Sequence, residues 1–404
     1  MHRVVITGAG AVTACGSGVS SLWQAARDGT SAVRECAFDD LPDQKVSRAA
    51  PVPPETKADL GPFFKPRFQD EVAGFALLAA QEAVAQAALT ADDFGQEFGV
   101  FVGSGFGGAE TLNHNYLAFA ESKGGRMDPM SIPKIMTNAS GSWLAMTYGA
   151  KGPTYCNSTA CSSASQSIGL AYQHIRTGMI ERAFAGGTEG CVVSGVFRAW
   201  EVLRVLSPTL CRPFSRDRNG MALGEGAGVL VLESLDSARA RGATILAEVV
   251  GYGTTSDAGD LLRPDPEGAA GAMSKALRDA NLAPAQVGYV NAHGTGTVAN
   301  DVSEANAMRA VYGDAFDGLA VSSTKPVHGH ALGAAGAIEL IVAMQALREG
   351  LAPPNGNFTE FDPAVGFEPV HGEARPIATD YVMSNSFAFG GINATLILGR
   401  APVA

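Results

Sequence analysis

The chain has 404 residues, 46% hydrophobic and 17% charged, with 49 glycines, the composition of a soluble, large-cored, glycine-rich α/β protein. A formal net charge of −11 and the lack of any Lys/Arg-rich run argue against nucleic acid as a ligand. Six cysteines without C-x-x-C pairing suggest neither a disulfide framework nor a zinc site, and with no run near about 18 apolar residues the protein is expected to be cytoplasmic and free of the membrane.

The first apolar run, residues 4–6, predicts a strand rather than a signal peptide, because Thr7, Gly8 and Gly10 interrupt it. Gly8-Ala-Gly-Ala-Val-Thr13 invites comparison with the dinucleotide fingerprint, but Thr13 stands where the third glycine belongs and no ribose-binding acid follows a second strand. An alanine-rich stretch over 75–88 predicts a buried helix. Further strands are expected at 98–102, 182–185, 228–232, 287–291, 319–322, 381–385 and 394–398, separated by glycine-rich turns and helical patterns, as in parallel sheet layers joined by helices. A helix over 273–280 ends at Asn281, a residue suited to a C-cap. The charged, alanine-rich segment 234–247 reads as the join between two halves, 1–243 and 244–404, which follow the same strand, loop, helix order.

Cys161, in Cys156-Asn-Ser-Thr-Ala-Cys-Ser-Ser-Ala-Ser165, precedes Ala164, Ile168, Ala171 and Ile175 at helical spacing. A sulfur at a helix N-terminus faces unpaired N–H groups and a partial positive charge, which predicts a thiolate nucleophile; the alternative is a small apolar filler. Small neighbours leave room for a long substrate arm. His293 lies in Asn291-Ala-His-Gly-Thr-Gly-Thr297 after a strand, and Asp301-Val-Ser-Glu304 reads as a capping box opening a helix. His330 repeats this placement in Ser322-Ser-Thr-Lys-Pro-Val-His-Gly-His330, ahead of a helix over 333–343. Asn385-Ser-Phe-Ala-Phe-Gly-Gly391 is tight enough to aim backbone N–H groups at a reacting atom. Ligands in open α/β sheets gather beyond the carboxyl ends of strands, so these four loops are expected to converge. Singly, each histidine is better explained as a satisfied loop or core residue; together with the cysteine they point to a site. Cys161, His293 and His330 are in principle a zinc set, but their spacing carries no ligand pattern. His328 is assigned to surface or supporting duty.

The order of Val4-Val-Ile-Thr-Gly-Ala-Gly10, Thr159-Ala-Cys-Ser162, Arg212-Pro-Phe-Ser-Arg-Asp-Arg-Asn-Gly220, Leu223-Gly-Glu-Gly-Ala-Gly228, Asn291-Ala-His-Gly-Thr295, Gly329-His-Ala-Leu-Gly-Ala-Ala-Gly-Ala-Ile-Glu339 and Asn385-Ser-Phe387 resembles the elongating β-ketoacyl-acyl-carrier-protein synthases of the thiolase superfamily, those with a Cys-His-His triad. The resemblance implies a five-layered α-β-α-β-α fold of two duplicated halves, usually a homodimer, with a heterodimer of related subunits as the alternative. It implies that Cys161 takes an acyl group from a carrier-protein thioester, with the N–H groups of Cys161 and Phe389 as oxyanion hole. His293 and His330 then steady the enolate left by a decarboxylating malonyl thioester. Lys325 matches the lysine that organises the site, Glu339 its structural acid, and Thr295 and Thr297 the pair that bonds the phosphopantetheine arm. Neither metal nor nucleotide is implied.

This chain departs from the pattern in several places. Ala388 replaces the first glycine of the usual gate, which predicts a stiffer loop. Gly296 replaces a usual serine, and His328 stands where a threonine is common. Phe106 and Trp200 fall at or near acyl-tunnel positions, which predicts short, unsaturated or aromatic-headed chains and leans toward a specialised polyene or polyketide route; ordinary core packing is the alternative. Lys65, Arg67, Lys123, Arg126 and Arg204 lie in segments resembling those that dock the acidic carrier protein. Degradative thiolases use a second late cysteine, and none follows Cys211. A non-catalytic, chain-length-setting partner subunit is the rival from another class, but such subunits usually lose the cysteine that this chain keeps.

Overall fold

In the computed structural model, which describes residues 1–125 and 127–402, strand β1 (Val4–Thr13) is buried along its whole length. A Cβ on Gly8 would sit 2.1 Å from the Ala83 carbonyl oxygen, and one on Gly10 1.8 Å from that of Ala79. Both carbonyls belong to helix α1 (Glu71–Ala87). The glycines that invited a nucleotide reading therefore let a helix lie directly on the strand.

Ten strands of one eleven-stranded sheet lie on a single path, five in each half, and the eleventh, Gly16–Ser17, pairs with the end of β1. In the first half β1 is followed along the chain by β2 (Phe98–Gly103), β3 (Thr154–Asn157), β4 (Arg182–Glu189) and β5 (Gly226–Ser234), in the spatial order β3-β2-β4-β5-β1. The second half holds β6 (Ala247–Ser256), β7 (Val287–Asn291), β8 (Ala320–Ser322), β9 (Tyr381–Ala388) and β10 (Ile392–Gly399), in the order β8-β7-β9-β10-β6. Both halves pair parallel, parallel, antiparallel, antiparallel along that path. The halves meet where Val4, Val5 and Ile6 pair with Val249, Glu248 and Ala247.

The duplication extends to packing detail. On β6, a Cβ at Gly251 would lie 2.4 Å from the Ala276 carbonyl and one at Gly253 2.1 Å from that of Ala272, both in helix α4 (Pro266–Ala280), as Gly8 and Gly10 meet α1. Helix α4 starts on the Asp265 carboxylate, which accepts from Glu267 N at 2.9 Å, and stops at Asn281 in the left-handed region. Two central helices, α2 (Ser163–Arg176) and α6 (Ala335–Glu349), touch each other and strands of both halves. With α1 outside one half and α4 with α5 (Val298–Tyr312) outside the other, the layers run α-β-α-β-α.

The sequence expectation missed β3 and β6, the latter because glycines break its apolar pattern, and shortened β1, β4, β5, β9 and β10. The expected capping box at 301–304 is also corrected. Helix α5 begins at Val298, so Asp301 and Glu304 lie inside it, fully buried, and bond backbone groups of other segments.

Candidate active site

Cys161 sits in a tight turn (Ala160–Ser162) between β3 and α2. Ala160 holds a left-handed φ of 49°, which costs an L-residue about 1–2 kcal/mol. Hydroxyls offset that strain: Thr159 N donates to Ser163 Oγ at 2.8 Å, Ser163 Oγ to Ala160 O at 2.7 Å, and Ser162 Oγ to Thr159 O at 2.9 Å. The sulfur is thus aimed by a locked turn at the head of a buried helix.

His330 enters from the other half. Its N–H donates to Ala222 O at 2.7 Å and its carbonyl accepts from Gly224 N at 3.0 Å, which pins the backbone so that Nε2 stands 3.1 Å from Cys161 Sγ. Among the described residues its buried Nδ1 has no hydrogen-bond partner. His293, after β7, is held through its backbone: Glu304 accepts from His293 N and Gly294 N, both at 2.8 Å. The two rings meet edge to face, centroids 5.4 Å apart. Lys325 Nζ bonds Glu339 Oε1 at 2.5 Å and the His293 carbonyl, and stands 3.5 Å from His293 Nδ1. An ammonium can only donate, so His293 Nδ1 is the acceptor and its proton sits on Nε2.

Burial, then the charge of Lys325, holds both imidazoles well below the ordinary histidine range. Burial pushes the Cys161 thiol up to about 12, against the smaller pull of Lys325. These shifts favour a neutral thiol beside a neutral imidazole, opposing the thiolate that the helix N-terminus alone favours. Ligating atoms of Cys161, His293 and His330 lie within 4.8 Å of one another.

The triad lines a cavity of about 170 Å³ together with Thr295, Thr297, Trp200, Leu203, Phe387 and Phe389. Thr295 and Thr297 share a hydroxyl hydrogen bond of 2.9 Å. The Phe389 backbone N–H favours the ionised form of the Cys161 sulfur. The four loops expected to converge do so. Sequence models of the "Beta-ketoacyl synthase, N-terminal domain" and "Beta-ketoacyl synthase, C-terminal domain" match residues 1–238 and 246–359. The chain belongs to the β-ketoacyl synthase family.

Among relatives of this family, "Nodulation protein E" of a Rhizobium species is 40% identical over 398 residues, 98% of each chain. "3-oxoacyl-[acyl-carrier-protein] synthase 2" of Synechocystis is 36% identical, covering 98% of this chain and 97% of its own. The solved structure "The ishigamide ketosynthase/chain length factor" superposes with a TM-score of 0.95 at 34% identity, over 99% of this chain and 100% of that one.

Within this β-ketoacyl synthase some expected residues fall elsewhere. Phe106 does not line the cavity: its backbone N–H bonds Glu189 at 3.1 Å and its side chain is 41% exposed. Lys65, Arg67 and Lys123 are exposed but absent from the cavity wall, whereas exposed Arg204 directly follows the lining residue Leu203. Arg126 lies outside the described residues. His328 is fully buried rather than superficial; its Nδ1–H donates to Gly329 O at 2.8 Å, so Nε2 accepts from Thr324 Oγ1 at 3.0 Å. Ala388 ends β9, while the left-handed residues of the gate are Gly390 and Gly391, so the alanine does not occupy the hinge itself.

Sequence reasoning missed Glu189. Its buried carboxylate gathers Gly105 N at 2.7 Å and Gly333 N at 2.9 Å, and burial raises it to about 7. Its only signal was an acid at the end of a glycine-rich strand.

Proposed function

We propose that the chain is an elongating condensing enzyme working by decarboxylative Claisen condensation on carrier-protein thioesters. The contact that carries this reading is Cys161 Sγ to His330 Nε2 at 3.1 Å, with His293 beside it in one cavity. Cys161 attacks the acyl thioester carbonyl as its proton passes to His330 Nε2, and the N–H groups of Cys161 and Phe389 receive the oxyanion. His330 returns the proton to the departing pantetheine sulfur. A malonyl thioester then loses carbon dioxide, and its enolate oxygen is held by the Nε2–H of His293 and by His330 once exchange with water has moved its ring proton from Nδ1 to Nε2. The carbanion attacks acyl-Cys161, the carbon–sulfur bond breaks, and a 3-ketoacyl thioester leaves.

His330 can serve in both halves because its partnerless Nδ1 locks neither tautomer. Lys325 fixes the tautomer of His293, Glu339 balances Lys325, and Thr295 with Thr297 positions the pantetheine arm. The reaction needs no resident metal or nucleotide: an ammonium 3.5 Å from His293 Nδ1 opposes a dication among those donors. Stoichiometric zinc whose removal abolishes turnover would contradict this.

The carrier protein docks at the cavity mouth beside Arg204, with Lys65, Arg67 and Lys123 as further contacts; Arg126 is a docking residue on the ground of its sequence segment alone. The enzyme is a cytoplasmic homodimer with halves 1–243 and 244–404, and a heterodimer with a related subunit is the alternative. Among the described residues no helix is long and apolar enough to cross a membrane. The aromatic wall at Trp200 supports short, unsaturated or aromatic-headed primers and a specialised pathway. Intact-mass analysis after incubation with acyl-carrier thioesters of graded length tests the whole reading: each accepted acyl group should add its mass to the wild type and not to Cys161→Ala. An adduct persisting in Cys161→Ala would overturn it.

A further inference from the structure

The duplicated fold gives each half its own copy of the ground on which the active site stands. In the first half the chain leaves β3 through a turn whose Ala160 holds a left-handed φ of 49°, and Cys161 follows it, two residues before α2 begins. In the second half the chain leaves β8 and enters a turn (Leu332–Ala334) whose Leu332 holds a left-handed φ of 40°, and Gly333 follows it, two residues before α6 begins. Gly333 is therefore the counterpart of Cys161. By the same count Gly105, two residues past the end of β2, is the counterpart of His293, two residues past the end of β7. Neither glycine brings a reactive side chain.

Glu189, the last residue of β4 and the one from which the chain leads toward helix α3 (Ser194–Val202), fills this second copy with its carboxylate. Oε2 accepts from Gly105 N at 2.7 Å and from Gly333 N at 2.9 Å; Oε1 accepts from Phe106 N at 3.1 Å and stands 3.4 Å from Ser104 Oγ. One fully buried carboxylate thus satisfies three backbone donors. A Cβ on Gly333 would lie 2.7 Å from Oε2, and one on Gly105 2.8 Å from it, so both backbones approach the carboxylate more closely than side chains there would permit.

The turn that Glu189 holds begins two residues after His330 and packs against the Cys161 turn. Leu332 adopts backbone that an L-residue keeps only where its surroundings enforce it. Ala222 and Gly224 pin His330 on one side of that strained residue, and the bond from Gly333 N to Glu189 pins the other. The 3.1 Å contact of His330 Nε2 with Cys161 Sγ hangs from these two anchors.

We propose that Glu189 is a positioning residue of this site: its carboxylate plugs the silent second copy of the active site and, by holding Gly333 N, sets the turn that aims His330 at Cys161. This deepens the proposed function by naming what holds its base in place, and rests on that function for the meaning of the contact.

Glu189→Ala deletes one methylene and the carboxylate, a group that acetate reproduces. Single-turnover acylation of Cys161 should fall about 10- to 100-fold in folded Glu189→Ala, with half-saturation by the acyl-carrier thioester unchanged. Acetate, but not chloride at equal ionic strength, should restore the rate saturably. Glu189→Gln keeps the shape and one carbonyl oxygen, so it should lose less and ignore acetate. In a His330→Ala background Glu189→Ala should slow acylation no further, because it acts through that ring. Where Glu189→Ala does not fold without acetate, Glu189→Gln carries the same rate and background comparisons. Acylation at the wild-type rate in both variants, or an equal loss with and without His330, would overturn the positioning role. Crystal structures of Glu189→Ala give a readout that needs no acyl chain: the contact between His330 Nε2 and Cys161 Sγ should lengthen by about 1 Å, and return when acetate occupies the vacated position. An unmoved contact would overturn the role as well. If no acyl chain loads on wild type while the contact lengthens and returns as expected, the condensing reaction falls and the positioning of His330 by Glu189 stands.

Discussion

His293 and His330 stand edge to face, 5.4 Å between centroids and 82° between planes, yet differ at the nitrogen that faces away from substrate. Lys325 occupies Nδ1 of His293, whereas no described residue bonds Nδ1 of His330. The first is a fixed donor and the second a group that can accept or donate. His293→Ala should therefore leave acylation of Cys161 near the wild-type rate while lowering malonyl decarboxylation about 100- to 1000-fold, the cost of one lost oxyanion donor. His330→Ala should slow both half-reactions. Single-turnover acylation and carbon dioxide release, measured separately, check this; equal loss of both steps in His293→Ala would refute it.

The neutral resting pair has a pH signature. Burial lifts the Cys161 thiol to about 12 and holds the His330 imidazole well below its usual value, so the thiolate fraction grows with pH across the neutral range. Alkylation by iodoacetamide should rise about tenfold per pH unit from 7 to 9. The raised thiol also favours folding below its unfolded pKa, an advantage lost as pH climbs toward 12. A rate plateau below pH 8 would mean a preformed thiolate–imidazolium pair instead.

The convergence of Cys161, His293, His330 and the 385–391 loop was legible because each lies at a strand-to-loop transition in a short stretch. What escaped was tertiary. Asp301 and Glu304 satisfy a local capping pattern, but α5 starts earlier and spends their carboxylates on Phe214 N, His293 N and Gly294 N. Glu189 bonds loops 84 and 144 residues distant, a relationship no window of sequence contains. The helix N-terminus that favours a thiolate at Cys161 is visible in sequence, whereas the burial that opposes it is not. Strand β6 was hidden by Gly251 and Gly253, whose reason is the helix above them.

Lys325 and Glu339 are both fully buried, so removing one leaves the other's charge without its partner. Lys325→Met should cost about 3–5 kcal/mol at pH 8. Burial already raises Glu339 to about 7 even with Lys325 pulling it down, and without that pull it rises further. A raised carboxyl favours folding below its unfolded pKa, near 4.5, and loses that advantage as pH rises through the folded value. The penalty should therefore be smaller at pH 5 than at pH 8. Denaturant melts at both values check the sign, and a larger deficit at pH 5 would show that Glu339 is not the group left exposed to the loss.

Gly103 ends β2 where α2 begins above it. A Cβ there would lie 2.3 Å from the Ser163 carbonyl carbon and 2.5 Å from Ala164 N, backbone atoms that cannot rotate aside. Relief requires moving the head of α2, and Cys161 lies two residues before Ser163. Gly103→Ala should cost about 1–3 kcal/mol by overpacking. It should also lower turnover by up to about 100-fold, because shifting the sulfur by about 1 Å spoils its 3.1 Å contact with His330. Gly318→Ala is the control: no atom lies within 4 Å of its added Cβ, so it should stay within about 0.5 kcal/mol of wild type. Thermal melts with acylation rates separate the two, and a Gly103→Ala enzyme as stable and as fast as Gly318→Ala would show that α2 yields without carrying Cys161 with it.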